Sequence, residues 1–533
     1  MVNNTADSIE FLPGEILGEL EIMYTKDVIE FNAFNNNTNI EVKIEEVDLK
    51  EYEAKIKEKL DISNVPEEVK DGFISLIYHN DHIFDWNNDK IGNIDVMEHV
   101  IKLKPDAVPK RVRPYRLSPL ETESLRKELD KLLKLGIIER SGYSDWASPL
   151  LLVKKNDGTY RVVADFRYLN SQSQPLNYPL NNIDDLLDTL SKAYWMSCYD
   201  LRSGFFQASL SSESKPLTNV VCKLGSFSFS RLPQGVASSP GIFSEMMEKC
   251  FHELINDCLC IYLDDVTTYS NNKDPWNHLN DIRRTFKCMA DHGIVLNPKK
   301  CHFFKEEILF LGYVVTRDSI KPNPKTIEKV KDFPLPKTLK EVRSFLGLAS
   351  YYRRFVPNFA KIARPLHDQL QTTKKVAWTD AATKAFYDLK DRLTTAPVLL
   401  AKPDFNKEFL VLTDSSIEGC GAILSQRDDE GQEHPIIYSS RALHGAEKNY
   451  GISKLELLAV VWALQLYRPY LLGSQFQVTV ISDHSALPGL LKTKQPTGIL
   501  ARWIEILSEY NFTIVYRPGR TNQGPDFLSR LGY

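Results

Sequence analysis

The stretch CLCIYLDDVTTYS, residues 258–270, alternates apolar and polar residues as a half-buried β-strand does. Two adjacent acids, Asp264 and Asp265, interrupt this alternation. Because neighbouring side chains on a strand point to opposite faces, adjacent aspartates fit best at a hairpin turn, where at least one carboxylate reaches a groove. An Asp-Asp pair alone is more often a solvated turn, so its meaning depends on what the fold places beside it.

A second acid ends a strand upstream. In SCYDLRSGFFQASL (197–210), Asp200 closes an apolar run and a Ser203-Gly204 turn follows it. Carboxylates from two strand ends form an all-oxygen site of the kind that Mg²⁺ prefers. Two such ions, about 3.5–4 Å apart, can activate a 3′-hydroxyl and hold a triphosphate with its leaving pyrophosphate.

A basic hairpin could neutralise such a triphosphate. The segment VKKNDGTYRVVADFR (153–167) predicts a β-hairpin around an Asp157-Gly158 turn. Its tip would carry the cations Lys154, Lys155 and Arg161. By itself the pattern also fits an exposed basic hairpin that has no role.

The segment RLPQGVASSPGIFSEMM (231–247) lies between the two acidic strands and predicts a turn before a helix. Gly235 lets a backbone approach closely, and Gln234 can hydrogen-bond a base or a sugar. Alone, this segment is only a turn. The order of all these segments along the chain is more specific than any one of them.

Five motifs, in this order and spacing, resemble the reverse transcriptases, with the best match to gypsy-type LTR retrotransposons and their retroviral relatives. The motifs are VADFRYLN (163–170), YDLRSGF (199–205), LPQGVASSP (232–240), YLDD (262–265) and FLGY (310–313). The resemblance covers roughly residues 100–533. It implies an α/β multidomain fold: a right-hand polymerase of fingers, palm and thumb, followed by a ribonuclease H-like α/β domain.

The resemblance implies a role for each matching residue. Asp200, Asp264 and Asp265 would be the catalytic carboxylates and metal ligands, with Asp265 the less direct one. The implied substrate-binding residues are Lys154 and Arg161 at the triphosphate, Gln234 beneath the nascent base pair, Phe205 under the deoxyribose, Leu263 at the primer terminus and Lys300 as the acid for pyrophosphate. The implied primer grip is Leu311, Gly312 and Tyr313. The ring of Phe205 would leave no room for a 2′-hydroxyl, and Lys299 competes with Lys300.

The segment LKEVRSFLGLASYYRRFVPNFAKIARPL (339–366) predicts helices with an apolar face and a basic remainder that includes Arg353 and Arg354. A core stripe with a solvated basic side accounts for this pattern. By its position in the family, the segment would be the thumb, which packs on the duplex backbone through salt-sensitive contacts.

Four acids near the C-terminal end follow the order of a second enzyme. Asp414 ends a strand in FLVLTDSSIEGCGAILSQ, Glu456 sits inside an apolar helix, Asp483 ends the strand TVIS, and Asp526 begins a last helix. Any one of them is more often a cap or a surface charge. As a set they resemble the catalytic and metal-binding D-E-D-D group of ribonuclease H, which cleaves RNA in a hybrid with two Mg²⁺ ions and an activated water.

Two departures from the family are visible. The strand before Asp200 is WMSCYD, with a tyrosine at 199 that strand alternation turns away from the metals, so no loss of activity is expected. No histidine lies between Tyr516 and Asp526, where many of these nucleases carry one. Cleavage is therefore expected to be slower or differently assisted, with the metal ligands intact.

The spacing of the motifs sets the predicted domains. They are an acidic N-terminal extension (1–100), fingers and palm (101–315), thumb (316–370), tether (371–405) and ribonuclease H domain (406–533). Only about 100 residues separate FLGY from Asp414, too few for a thumb and a full connection domain. The acidic extension could be a remnant before the polymerase, a fingers-side support or a self-association element. The chain is expected to be one segment of a polyprotein, since protease, CCHC and integrase signals are absent.

Charge and composition agree with a nucleic-acid enzyme. Residues 1–100 hold 23 acids and 8 bases, whereas the other 433 hold 47 acids and 58 bases, which suits phosphate binding. The eight cysteines show no zinc-ligand spacing, and neither a secretion signal nor a membrane span is apparent. The resemblance implies a cytoplasmic protein inside virus-like particles.

The implied cofactor is Mg²⁺, two ions per active site, with Mn²⁺ able to substitute. The implied partners are an RNA template, a DNA primer, an RNA–DNA hybrid and deoxynucleoside triphosphates. A homodimer is one assembly found among related enzymes. A catalytically dead relative that only binds nucleic acid is the main alternative, and the seven intact acids argue against it. A polymerase of the group II intron or non-LTR type is disfavoured by the nuclease directly after the thumb.

Overall fold

The computed structural model describes residues 49–154, 160–176, 178–179, 181–317, 319–371, 376, 378–395, 400–417, 419–491 and 498–518. The predicted Asp157-Gly158 turn, Lys155 and Asp526 lie outside these residues. Within the described part of the chain, every helix is too short or too polar to cross a lipid bilayer.

The first half of the chain forms the fingers and palm. Its helices are α1 (Leu49–Lys57), α2 (Lys70–His79), α3 (Pro119–Lys134), α4 (Arg167–Gln172), α5 (Ile183–Ser191), α6 (Ser239–Phe251) and α7 (Pro275–Asp291). Its strands are β1 (Ile94–His99), β2 (Ile138–Arg140), β3 (Ser148–Lys154), β4 (Tyr160–Ala164), β5 (Trp195–Asp200), β6 (Ala208–Leu210), β7 (Val220–Cys222), β8 (Gly225–Phe229), β9 (Leu259–Tyr262), β10 (Asp265–Ser270) and β11 (His302–Lys305).

Two sheets divide this half. The palm sheet has the strand order β11-β5-β10-β9 and contains both acidic strands, whereas the fingers sheet has the order β2-β8-β7-β3-β4. Helix α3 begins at a capping box in which Ser118 and Glu121 satisfy each other's backbone N–H groups.

Residues 49–100 are part of the palm rather than a separate extension. Strand β1 pairs in parallel with β6, and Arg202, just after Asp200, forms a 2.7 Å ion pair with Asp85. The ring of Phe73 packs edge-on against Phe303, with 4.8 Å between centroids. Apolar side chains in this acidic segment share one core with the palm, so the packing continues across the boundary predicted at residue 100. The three roles considered for the extension stay predictions.

Replacing Phe73 by alanine tests this packing. Phe73 is fully buried (0% exposed), so the substitution should lower the free energy of unfolding by about 3–5 kcal/mol through lost burial and a cavity. Urea unfolding followed by tryptophan fluorescence measures the change. Leu120→Ala on α3, where the side chain is 71% exposed, should change it by less than about 0.5 kcal/mol. If both substitutions changed the free energy of unfolding by equally small amounts, residues 49–100 would not be part of the palm core.

The thumb contains strands and helices. Its strands are β12 (Glu307–Phe310), β13 (Tyr313–Thr316), β14 (Ser319–Pro322) and β15 (Leu400–Ala401). Its helices are α8 (Pro324–Lys331), α9 (Leu339–Tyr351), α10 (Phe359–Leu370) and α11 (Asp380–Thr394). The helices predicted within 339–366 are present as α9 and α10. Arg354, expected to be available to a duplex, is instead 7% exposed and bonds Asp184 of α5.

Helix α11 occupies the middle of the segment predicted to be a tether, 371–405. Thr379 caps its first turn, and buried apolar residues three and four apart form one face. On that face the ring of Phe386 lies 4.5 Å from that of Phe345 in α9. The tether prediction is wrong here because helical apolar spacing gives this segment a face to bury against the thumb.

The C-terminal domain is an α/β layer structure. Its elements are β16 (Leu410–Ser415), β17 (Gly419–Arg427), β18 (Glu433–Ala442), α12 (Ile452–Leu466), α13 (Arg468–Leu471), β19 (Val478–Ser482), α14 (Leu487–Leu491), α15 (Ile499–Leu507) and β20 (Phe512–Tyr516). The sheet order is β18-β17-β16-β19-β20, with β16, β19 and β20 parallel. Parallel strands place their carboxyl ends at one edge, which is where Asp414 and Asp483 lie.

Candidate active sites

The YLDD segment forms a tight hairpin between β9 and β10. Tyr262 pairs with Asp265 and closes a two-residue turn of Leu263 and Asp264. Leu263 has a φ of 53°, a left-handed conformation that costs a side-chain-bearing residue about 1–2 kcal/mol. On the other side of β10, Asp265 lies directly opposite Asp200 of β5. The structure thus brings the three predicted carboxylates together at the end of the palm sheet.

The carboxylate of Asp264 is crowded, and one of its oxygens has no polar partner among the described residues. Its Oδ1 is buried with no hydrogen-bond partner in the described part of the chain. A Cβ at Gly204 would lie 2.8 Å from this oxygen, so the site needs a glycine at that position. Burial, followed by the charges of Asp265 and Asp200, raises the pKa of Asp264 to about 6. An unpaired acid among acids is an arrangement that a cation would stabilise.

Two residues of NPKKCHF hold Asp200. Lys300 Nζ donates to both carboxylate oxygens of Asp200 at 3.0 and 3.2 Å, and Asn297 Nδ2 donates to one at 3.4 Å. Desolvation and the charge of Asp200 raise the pKa of Asp265, whereas Lys300 opposes that rise. This geometry favours Lys300 over Lys299 beside the acids. Asn297 stands two and three residues before Lys299 and Lys300 in NPKKCHF (297–303), and no role is predicted for it from the sequence.

The predicted basic hairpin is formed by β3 and β4. Val153 pairs with Arg161, and Lys154 pairs with Tyr160. Since directly paired residues share a face, Lys154 and Arg161 project from opposite faces of the ribbon, both exposed. The structure brings these cations to one end of the hairpin but not to one face.

The remaining nucleotide-site candidates flank α6. The ring of Phe205 packs 5.0 Å from that of Phe243 on this helix. Gln234 is exposed on the loop before the helix, next to Gly235, whose φ is 97°. Asn170 holds this loop: its Nδ2 donates to Gly235 O and its Oδ1 accepts from Ala237 N, both at 2.8 Å. Asn170 is the last residue of VADFRYLN (163–170), and the family resemblance assigns it no role.

The FLGY segment is a second tight turn, between β12 and β13. Leu311 and Gly312 form it with φ of 46° and 75°. Tyr313 is 5% exposed, and its ring stacks on Tyr351 at 5.2 Å. The hydroxyl of Tyr352 donates to Gly312 O at 2.8 Å. The expected direct contact of Tyr313 with a primer does not fit this burial; the residue anchors the turn to the thumb.

The nuclease acids form a second cluster. Ligand oxygens of Asp414, Glu456 and Asp483 all lie within 4.8 Å of one another. Glu456 projects from α12, is 4% exposed, and accepts a 2.6 Å hydrogen bond from Ser415 Oγ. Burial is the main cause of its raised pKa, and the charges of Asp483 and Asp414 add to it. The arrangement suits a divalent cation.

The thumb borders this cluster. Asn358, just before α10, lies where a Cβ at Gly421 would be 2.5 Å from its Oδ1, and Gly421 pairs with Asp414. Desolvation and the charge of Asp483 raise the pKa of Asp414, and Lys361 of α10 opposes this rise. Beyond Tyr516, Arg517 pairs with Glu433 at 2.6 Å.

Comparisons with known proteins identify a family for each half of the chain. Residues 153–315 match the family "Reverse transcriptase (RNA-dependent DNA polymerase)", and residues 378–478 match "RNase H-like domain found in reverse transcriptase". Foamy viral protease-reverse transcriptase in complex with ds DNA has a similar fold, with a TM-score of 0.74 and 24% identity over 88% of this chain and 82% of that one. The fold and both family matches define the class: a reverse transcriptase with an RNase H-like domain.

Curated relatives narrow the class. The retrovirus-related Pol polyprotein from transposon 297 of Drosophila melanogaster is 37% identical over 83% of this chain and 41% of its own length. The corresponding polyprotein from transposon gypsy of the same organism is 33% identical over 87% of this chain and 46% of its own length. The Tf2-3 polyprotein of Schizosaccharomyces pombe is 30% identical over 88% of this chain and 35% of its own length. The chain thus spans about 40% of the relatives' length. It belongs with the reverse transcriptase and RNase H segments of gypsy-type LTR retrotransposons, as the motifs predicted.

Proposed function

We propose that this chain is an RNA- and DNA-templated DNA polymerase that copies retrotransposon RNA and degrades the RNA strand of the resulting hybrid. The observation that carries the proposal is the presence of two separate acidic clusters on two domains. One comprises Asp200, Asp264 and Asp265; the other comprises Asp414, Glu456 and Asp483.

Both clusters fit divalent magnesium. All their candidate ligands are carboxylate oxygens, the hard donors that Mg²⁺ selects. In the palm, Oδ1 of Asp264 is buried without a hydrogen-bond partner among the described residues, and the pKa of that carboxyl is raised. Both features indicate an excess of negative charge that a bound cation would neutralise. Two bound ions per site would lower the pKa of an attacking hydroxyl or water and neutralise phosphate charge.

The chain's own residues would orient the substrates of the polymerase. Lys300, whose ammonium group donates to Asp200, would donate a proton to the departing pyrophosphate. Lys154 and Arg161 would bind triphosphate oxygens from the hairpin, and this requires the ribbon to twist or close over the nucleotide. Phe205 would exclude a 2′-hydroxyl by contact with the sugar.

In the nuclease, Glu456 holds a fixed position because Ser415 binds it. Asp414 and Asp483, at the exposed edge of the sheet, would face the hybrid. Asp526, outside the described residues, is proposed as the fourth ligand. The turn of Leu311 and Gly312, anchored by Tyr313, would contact the primer strand backbone.

The proposed partners are an RNA template, a DNA primer, their hybrid and deoxynucleoside triphosphates. A cytoplasmic location of the protein, inside virus-like particles, is proposed from the retrotransposon relatives. Homodimerisation stays a prediction, and light scattering with and without hybrid measures it.

Primer extension on an RNA template tests the proposal directly. With Mg²⁺ and the four deoxynucleoside triphosphates, a labelled DNA primer should be extended, while a separately labelled RNA strand should be shortened. Extension or cleavage that survives chelation of divalent cations would contradict a metal-dependent mechanism at the corresponding site.

The pH dependence of Mg²⁺ binding provides a further prediction. A metal ligand must be ionised, and Asp264 without metal has a pKa of about 6. Below that pH a proton competes, so the affinity of the palm for Mg²⁺ should fall by up to about tenfold per pH unit. Calorimetric titration in buffers of different ionisation enthalpy measures the released proton. Asp264→Asn should abolish that release, and equal affinity at pH 5 and 7.5 would refute the prediction.

A further inference from the structure

The nuclease domain contacts the palm at helix α5. Tyr470, on α13 of the nuclease, donates from its hydroxyl to Asp188 Oδ2 on palm helix α5 at 2.5 Å. The tyrosine is 7% exposed. Helix α5 leads directly into β5, which ends at Asp200. A partly buried hydrogen bond to a carboxylate thus joins the nuclease to the helix that precedes the strand of Asp200.

The thumb contributes to the same junction. Arg354 NH1 donates to Asp184 Oδ1, one turn before Asp188 on α5, at 2.7 Å. Its guanidinium also lies 6.0 Å from the ring of Tyr313, which anchors the FLGY turn. Asp188 Oδ1 and Arg354 Nε are buried without a hydrogen-bond partner in the described part of the chain. Buried polar groups without a hydrogen bond are rare in folded proteins because they lower stability, so two of them at one junction call for an explanation.

Further contacts from the nuclease side meet the end of α5. Lys402 Nζ donates to the carbonyl oxygen of Ser191, the last residue of the helix. Lys192 lies 5.3 Å from the ring of Phe405, which is stacked on Tyr470. The polar contacts are directional, so they fix an orientation rather than only an area of contact.

We propose that Tyr470 is a positioning residue: through Asp188 and Arg354 it sets the spacing between the polymerase and nuclease sites along a bound hybrid. The proposal rests on the proposed function. With the junction closed, an enzyme seated on a primer terminus cleaves the RNA at one fixed distance behind it. With the junction open, the nuclease samples several distances, while each active site keeps its own acids.

The test maps RNA cleavage by the full chain on a hybrid with a recessed DNA primer and 5′-labelled RNA, without nucleotides. Wild type should give a narrow band at a fixed distance from the primer terminus. Because a hydrogen bond to a charged group is lost, Tyr470→Phe should lower the ratio of terminus-directed to scattered cuts by about tenfold. Primer extension and cleavage of a hybrid without a recessed end should stay within about twofold of wild type.

Tyr467→Phe is the matched control, since its hydroxyl donates to Ile437 O inside the nuclease and its loss should leave the band sharp. Asp188→Ala, which removes the acceptor oxygen, should reproduce the Tyr470→Phe pattern from the palm side, and the double variant should be no worse than either single one. A sharp band in either Tyr470→Phe or Asp188→Ala overturns the proposal. A wild type that neither extends nor cleaves would overturn the proposed function instead.

Discussion

Replacing Asp264 by asparagine is expected to reduce DNA synthesis by about a thousandfold or more, equivalent to about 4 kcal/mol of lost transition-state stabilisation. Asparagine keeps the size of the side chain and its fit against Gly204, but it removes the charge that would bind a cation. The acids of the nuclease lie on another domain, so cleavage of a preformed hybrid should stay within about twofold of wild type. Primer extension on an RNA template and cleavage of a labelled hybrid measure the two activities on one preparation.

Asp257→Asn is a suitable control for this substitution. Asp257 lies just before β9, at the other end of the catalytic hairpin, and forms an exposed ion pair with Arg284. Its loss should leave synthesis within about twofold of wild type. Equal synthesis by wild type and Asp264→Asn would instead identify a catalytically dead relative whose signal comes from a contaminating polymerase.

The elements around the acids could be predicted from sequence because local rules decide them. The alternation in 258–270 and the Asp-Asp interruption specified the β9–β10 hairpin, and Ser118 specified the start of α3. The clustering of Asp200 with Asp264 needed the family order, because it depends on which strands are neighbours in the sheet. Periodicity within one segment carries no information about that.

Two features that differ from the predictions, the packing of residues 49–100 and the burial of Arg354, depend on tertiary partners. The acidity of residues 49–100 concealed an apolar face that fits the palm. Arg354 looked like a duplex contact, yet Asp184, 170 positions earlier, withdraws it from the surface. Helix α11 was the exception, since the spacing of Ala382, Phe386 and Leu389 was visible in the sequence. A count of apolar spacing in 371–405 would have found it.

Glu456→Gln is expected to reduce RNA cleavage and spare DNA synthesis, the reverse of the effect expected for Asp264→Asn. Loss of one charge from the cluster of Asp414, Glu456 and Asp483 should reduce cleavage of the RNA strand by about a hundredfold to a thousandfold, since one of the proposed metal ligands is lost. Glutamine can still accept the hydrogen bond from Ser415. DNA synthesis should stay within about twofold. Cleavage of a labelled hybrid and primer extension on a DNA template measure the two effects separately, and Glu505→Gln on the exposed face of α15 is the matched control.

Thermal stability separates lost chemistry from lost folding in this variant. The pKa of Glu456 is raised in the folded chain, so the folded state holds this proton more tightly than the unfolded state does. Between the two pKa values, stability therefore falls as pH rises, and at neutral pH the ionised carboxyl destabilises the metal-free fold. Glu456→Gln should melt at the same or a higher temperature than wild type without divalent cations. Added Mg²⁺ should raise the melting temperature of wild type more than that of the variant, because the ion stabilises the state that binds it. A variant that melts at a lower temperature without metal would contradict a destabilising charge on Glu456. A variant that loses synthesis together with cleavage would contradict two independent sites.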